Sequence, residues 1–270
     1  MLRITVPGST IHNMCFVKEG LASAGSAPVG VFAWCRHDGL PRSCAVTPYV
    51  IDGSIVVTTT LALPTKAFAV QRDQRVALHA GGWLVQARGI VRADPTPRWF
   101  DQFLRAQELA KYPPARSLLA VPGHRRLFSW YVGRVVIRLA DPEMTRSEDV
   151  ATDRATVTGV RDGRLRIDPL VVLEQFSEER AAEVTIPRNV DGPVDVLVHE
   201  EHRDFSQLCQ LHVRGVAESG CVGEAKVSGS LTPRSGSAIR QLRDLRDLGR
   251  LARRHASRVA ALPSVWEAAL

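Results

Sequence analysis

Residues Arg42–Arg92 read RSCAVTPYVIDGSIVVTTTLALPTKAFAVQRDQRVALHAGGWLVQARGIVR, and this stretch decides the fold. Arg42–Ile51 has the β-branched and aromatic content of a strand and runs into Asp52-Gly53. That dipeptide tolerates the positive φ angles of the tight hairpin turns that match strand twist. Ser54–Thr60 follows as a β-branched strand. Pro64 sits well in a first helical turn, where its missing N–H costs nothing, so Pro64–Arg72 is predicted as a short helix ended by Asp73. Arg75–Ala80 and Trp83–Ala93 are two further strands joined by Gly81-Gly82.

Working outward, Ile11–Ala24 is predicted as a short helix. Val29–Arg36 is a strand, turning at His37-Asp38-Gly39. These five strands are expected to form an antiparallel meander, and closing it into a barrel removes its exposed edges. Pro97–Ala110 is a helix whose Trp99, Phe103 and Leu104 share a face, expected to cap the barrel. Phe128–Leu139 is predicted as the sixth, closing strand. The fold class expected is mainly β with flanking helices.

The polar, acidic stretch at 141–154 reads as a linker, which divides the chain into 1–140 and 155–270. After it the first-half pattern returns faintly. Gly39, His79 and Gly89 find counterparts in Gly163, His199 and Gly215 at offsets of 124, 120 and 126. Near-constant offsets in one order suggest a degenerate tandem repeat. The second copy places the acidic segment Pro169–Ala182 where the first has its lysine-bearing helix. Ser235–Ala261 is expected to be a helix, with eight arginines between Arg234 and Arg258. Its apolar residues Ile239, Leu242, Leu245, Leu248 and Leu251 recur every third position, which suggests a stripe winding around the helix and packing between two surfaces, or a dimer arm.

Composition narrows the function. The 270 residues are 45% hydrophobic and 23% charged, as in an ordinary soluble protein. No apolar run reaches the ~18–20 residues of a membrane span, and the N-terminus lacks the layout of a secretory signal, so a cytoplasmic location is expected. Five dispersed cysteines and eight dispersed histidines give no disulfide or metal framework, and His199 with His202 lacks a third ligand. The net charge of +7 comes from scattered residues, 31 of them Arg and only 4 Lys, without a basic stripe interleaved with aromatics, which argues against nucleic-acid binding. No nucleophile elbow, P-loop, zincin or dinucleotide fingerprint is present.

One constellation remains. Thr58, Thr59 and Thr60 end a strand, and Thr65 and Lys66 occupy the first turn of the following helix, whose free N–H groups and dipole favour anions. Arg42 begins the paired strand and offers a bidentate clamp. Spacing alone leaves open that these are strand formers, a solvated lysine and a strand cap.

The order Asp38–Arg42 (DGLPR), the Thr-rich strand, Thr65–Ala67 (TKA), Arg72–Leu78 (RDQRVAL) and Arg88–Ile90 (RGI) resembles the pyridoxamine 5′-phosphate oxidase-like, flavin-binding split β-barrels, over roughly residues 26–140. That resemblance implies a split barrel, here as two tandem degenerate halves with a C-terminal helix, and flavin mononucleotide (FMN) bound between two barrels. It implies phosphate contacts from Arg42, Thr60, Thr65 and Lys66, with Ser43 and Thr59 nearby. It also implies an oxidoreductase dependent on FMN or the deazaflavin coenzyme F-420, working as a homodimer or as an intrachain pseudo-dimer on an unspecified small-molecule substrate. Thr65 stands where the oxidase proper carries arginine, which points away from pyridoxamine phosphate itself. No protein acid or base stands out as catalytic. The alternatives are a non-catalytic split barrel that binds or carries flavin or haem, and a cofactor-free scaffold whose arginine-rich helix contacts a partner.

Overall fold

The computed structural model describes residues 10–94, 96–112, 114–147, 154–170, 181, 184–201, 208–232 and 238–264. Helix α1 (Thr10–Ser26) leads into strands β1 (Gly30–Cys35), β2 (Pro41–Val46), β3 (Pro48–Ile51) and β4 (Ser54–Thr60). Helix α2 (Thr65–Arg72), β5 (Arg75–Ala80), β6 (Trp83–Asp94) and, after a helical excursion, β7 (Arg134–Arg146) complete the first sheet. Its order is β2-β1-β5-β6-β7-β4-β3. The elements match expectation, but the sheet is no simple meander, because the chain crosses through α2 from β4 to β5 instead of pairing them.

Both edges of this sheet belong to one stretch, Pro41–Ile51, which pairs with β1 up to Val46 and with β4 from Pro48 onward. The sheet therefore curls until its two ends meet around Thr47, and the edges it leaves are the short outer sides of β2 and β3. This is the split barrel. Its interior holds Phe32, Val57, Leu78, Val85 and Ile137, all essentially inaccessible to water. At about 1.5–3 kcal/mol per buried large apolar side chain, this filling is what holds the curl against the entropy of ordering it.

Two expectations about β7 need correction. Phe128–Val132 is not strand: Ser129–Val132 forms a helical turn, α7. The reason lies in the partner. Thr60 is the last residue of β4 and pairs with Arg134, so 128–133 has no strand beside it, and its carbonyl at Trp130 instead accepts from Leu61 N–H. Conversely 141–146, read as the start of the linker, is the far end of β7, paired with Trp83–Gln86 of β6. It is polar because it is exposed, and a ladder of backbone hydrogen bonds needs no apolar side chains. Residues 148–153 lie outside the described residues.

A helical layer covers the other side of β4 and β7: α3 (Pro97–Trp99), a π-turn (Phe100–Leu104), α4 (Arg105–Lys111), α5 (Pro114–Ala120), α6 (His124–Leu127) and α7. It is pinned by a buried polar knot. The Glu108 carboxylate accepts from the Tyr49 and Tyr131 hydroxyls and from Arg134 Nη2 at 2.9 Å. Lys111 Nζ donates to the carbonyls of Gly25 and Pro48. Burial holds the Lys111 ammonium down to a pKa of about 8, with Glu108 pulling the other way.

The second sheet runs β9-β8-β10-β11-β12, from β8 (Ala155–Arg161), β9 (Arg164–Pro169), β10 (Gly192–Glu201), β11 (Leu208–Glu218) and β12 (Cys221–Ser230). Its connectivity matches that of β2-β1-β5-β6-β7: a hairpin, then three strands added one by one on the side of the hairpin's first strand. The β8–β9 turn uses Asp162 and Gly163, both at positive φ, as a primed hairpin turn requires. The acidic segment 169–182 falls almost wholly outside the described residues.

The two sheets meet face to face. Val31, Ala33 and Cys35 of β1 and Ala77 of β5 pack on Leu165, Ile167 and Leu197. The strand contacts across this seam come in exchangeable pairs: β2 lies against β10, β8 and β11, and β9 lies against β5, β1 and β6. Helix α8 (Ala238–Ala260) closes the structure. From Leu245 onward its stripe does not wind. Leu245, Leu248, Leu251 and Ala252 pack on the helical layer, and Val259, followed by Leu262, joins the barrel core. Ala252 and Val259 supply the i+4 steps that the Leu-only pattern lacks, which keeps the apolar face on one side.

Candidate functional site

The β1–β2 hairpin and α2 build the site, and strand alternation decides which side chains reach it. Trp34 stands opposite Arg42, and Phe32 opposite Cys44, in the β1–β2 register. Phe32 belongs to the barrel core, so this face of the hairpin, with Trp34, Arg42 and Cys44, looks toward α2. Helix α2 is seated by buried Ala67, Phe68 and Val70. It can come close only because residue 89 is glycine: a Cβ there would lie 2.4 Å from Val70 Cγ1 and 2.9 Å from Val76 Cγ1.

Between hairpin and helix lies an open cavity of about 300 Å³. The hairpin contributes Trp34, Arg36, His37 and Arg42; α2 contributes Thr65, Phe68, Ala69 and Arg72; α8 contributes Arg258. Four arginines and a histidine line it, and no carboxylate does. Arg36 forms an ion pair with Asp38 at 3.1 Å. Arg258 lies over the Phe68 ring with its guanidinium carbon 4.0 Å from the centroid. Burial, reinforced by nearby Arg214, holds Arg42 below the usual arginine range. Such a cavity favours an anion with an apolar or aromatic part.

The six residues singled out from the sequence divide. Arg42 and Thr65 line the cavity. Lys66 reaches across to β2, its Nζ 3.7 Å from Cys44 Sγ. Ser43, adjacent to Arg42, points by the pleat to the opposite face, where its N–H and hydroxyl donate to Asp195 Oδ2 at 2.8 and 3.3 Å. Thr59 Oγ1 donates to Leu63 O at 2.6 Å, tying the strand end to the loop before α2. Thr60 shares the face of Val56, toward the helical layer, and its hydroxyl is buried without a hydrogen-bond partner among the described residues. Sequence reasoning missed Trp34, Phe68, Arg72 and Arg258. The first was detectable as the cross-hairpin neighbour of Arg42. Arg258 was hidden among the arginines of α8.

Behind the site, Asp195 forms the polar centre of the seam. Fully buried, it accepts from Ser43 twice, from Arg214 Nε at 3.1 Å and pairs with His212 Nδ1 at 3.1 Å. Gln210 Oε1 accepts from Ala45 N–H at 3.0 Å. The outer edge of β2, unpaired in its own sheet, is thus capped by side chains of the second sheet. Among the described residues no group of three His, Cys, Asp or Glu is placed to hold a metal, and no helix is long and apolar enough to cross a membrane.

The fold and this cavity define a mainly β split-barrel protein with a cationic, aromatic-sided pocket. No protein-family model and no curated protein matches the sequence. Solved structures similar to the chain are pyridoxamine 5′-phosphate oxidase-like, FMN-binding and general stress protein 26 family proteins. General stress protein 26 from Bacillus anthracis is 15% identical over 48% of this chain and 98% of its own, with a TM-score of 0.32. A putative pyridoxamine 5′-phosphate oxidase from Listeria innocua is 18% identical over 52% and 100%, TM-score 0.33. A pyridoxamine 5′-phosphate oxidase-related, FMN-binding protein from Nostoc punctiforme is 8% identical over 84% and 99%, TM-score 0.32.

Proposed function

We propose that this chain is a flavin- or deazaflavin-dependent oxidoreductase whose cofactor phosphate lies in the cavity between the β1–β2 hairpin and α2. The observation that carries this reading is the concentration of arginines without a carboxylate beside the first turn of α2. The residues fit the group. Arg42 would supply charge from the cavity wall and Lys66, held beside it at Cys44, a second charge; Thr65 would add a hydroxyl and the helix start its free N–H groups, while Trp34 and Phe68 offer apolar flanks. A bound flavin or deazaflavin would itself supply the hydride or electron chemistry. The protein's part is to hold the phosphate and to exclude water around the hairpin face. The two sheets, with one connectivity and exchangeable contacts, support an intrachain pseudo-dimer in which the second half stands where a partner barrel would.

The test is spectroscopic. Purified protein titrated with FMN, coenzyme F-420 and haem should change the absorbance of a flavin-type ligand and leave haem unaltered. Lys66→Ala and Arg42→Ala should each weaken binding about tenfold, from ~1.5–3 kcal/mol for a charge-assisted hydrogen bond. No spectral change with any flavin, or unchanged affinity in both variants, overturns the placement. A bound flavin that no nicotinamide donor reduces would instead favour a carrier.

A further inference from the structure

Helix α8 carries far more charge than packing needs. Its residues Ala238–Ala260 include seven arginines against two aspartates, so five of the chain's seven net positive charges sit on one helix. The arginines look scattered along the chain, but the fold sets these in a row. At 3.6 residues per turn Arg243, Arg246, Arg250, Arg253 and Arg254 fall within about 100° of arc, opposite the face that Leu245, Leu248, Leu251 and Val259 turn inward. All five are exposed, and Ser257 is the only other residue on that arc between 243 and 258. Arg250 pairs with Asp247 at 2.9 Å, and the other four have no carboxylate partner among the described residues. Neighbours in the row are three or four residues apart, the spacing at which like charges on a helix repel and weaken it. An anion laid along the row removes that repulsion. None of the five lines the cavity, so the row has a role apart from the cofactor.

We infer that the outer face of α8 is a docking surface for the sugar–phosphate backbone of a nucleic-acid duplex, bound without regard to sequence. The row is about 16 Å long at 1.5 Å per residue, and its occupant has to present evenly spaced negative charge over that length. A duplex does so, with one phosphate per ~3.4 Å of axis on each strand, and guanidinium forks match phosphate oxygens. An anionic membrane is the poorer match. A helix that lies on a bilayer sinks an apolar face into it, and the apolar face of α8 is already packed against the protein. None of the exposed large apolar side chains among the described residues is on α8. With no aromatic or amide side chain in the row, its contacts are of the kind made to phosphate, which fix position and carry no sequence information.

The experiment follows the fluorescence anisotropy of a labelled mixed-sequence DNA duplex with the full chain over a series of salt concentrations. The variants are Arg246→Gln, Arg253→Gln, the two together, and Arg88→Gln on β6 as the charge control, with circular dichroism confirming each fold. Five phosphate contacts should make the logarithm of the affinity fall with that of the salt concentration at a slope of about −4 to −5. Each of the first two variants should make the slope shallower by about 0.9, the pair should weaken binding at low salt at least about tenfold, and Arg88→Gln should leave both unchanged. Phosphatidylserine vesicles and polyglutamate serve as the competing polyanions and should bind more weakly than the duplex. No binding at low salt, equal losses in Arg88→Gln and the α8 variants, or tighter binding of the vesicles or of polyglutamate would overturn the inference.

Discussion

Replacing Asp195 by alanine should loosen the seam between the two sheets more than any other single polar change there. Asp195 is fully buried, and Ser43 N–H at 2.8 Å has no other acceptor because β2 is an edge strand in its own sheet. Removing the carboxylate orphans that donor, at about 1–3 kcal/mol for a buried unsatisfied group. Arg214 is 31% exposed, so water recovers much of its loss and it adds at most about 1 kcal/mol. The total is about 1–4 kcal/mol, which for a chain of this size lowers the apparent Tm by roughly 2–16 °C. The matched control is Ser43→Ala, which keeps the N–H and loses only the long 3.3 Å hydroxyl contact, for a change of about 0.5–1 kcal/mol. Both are read by urea denaturation with a circular dichroism signal. A loss below about 1 kcal/mol for Asp195→Ala, or equal losses for the two variants, would refute the claim that the orphaned edge donor dominates.

Further outcomes follow from the helical layer. Glu108→Ala leaves Arg134 buried without its carboxylate, so urea denaturation should show a loss of about 3–5 kcal/mol, and Glu108→Gln a smaller one. Lys111 has its folded pKa depressed to about 8, below the unfolded value, so between there and the unfolded pKa the unfolded state binds more protons and stability rises with pH. A gain of about 1–2 kcal/mol from pH 8 to pH 10 is expected by denaturation, and Lys111→Met should flatten it. Above that window Tyr49 and Tyr131, whose pKa values burial raises, resist ionisation in the fold, so stability should fall again. A flat profile in the parent chain would show that Lys111 is already hydrated.

The sequence was most readable where local chemistry decides. Asp52-Gly53, Pro64 and Gly81-Gly82 announced their turns and helix start, and Ser54–Thr60 and Arg75–Ala80 fall where expected. What local pattern could not convey was partnership. Arg42–Ile51 reads as one strand, but it serves opposite edges of the sheet, a division made by contacts far along the chain. Phe128–Val132 has strand composition without a strand beside it, and 141–146 has linker composition with one. The site divided for a simpler reason. Arg42 and Ser43, like Thr59 and Thr60, are neighbours in sequence, and the period-two pleat sends neighbours to opposite faces. That rule was available beforehand and separates Ser43 from Arg42 without coordinates. Arg258 was not available, because nothing in a helix with so many arginines marks which one reaches the hairpin.

The paired contacts of the seam have a consequence for how this protein can change. Where two identical chains meet, one altered codon appears on both sides of the axis, and any clash or gain is doubled. Here Gln86 hydrogen-bonds to Leu165 on one side and Gln210 to Ala45 on the other, each written once in the gene. Each side can drift alone. Under the pseudo-dimer reading proposed above, a single chain can dedicate one side of the seam to a ligand and the other to holding the halves together, a division of labour closed to a symmetric pair.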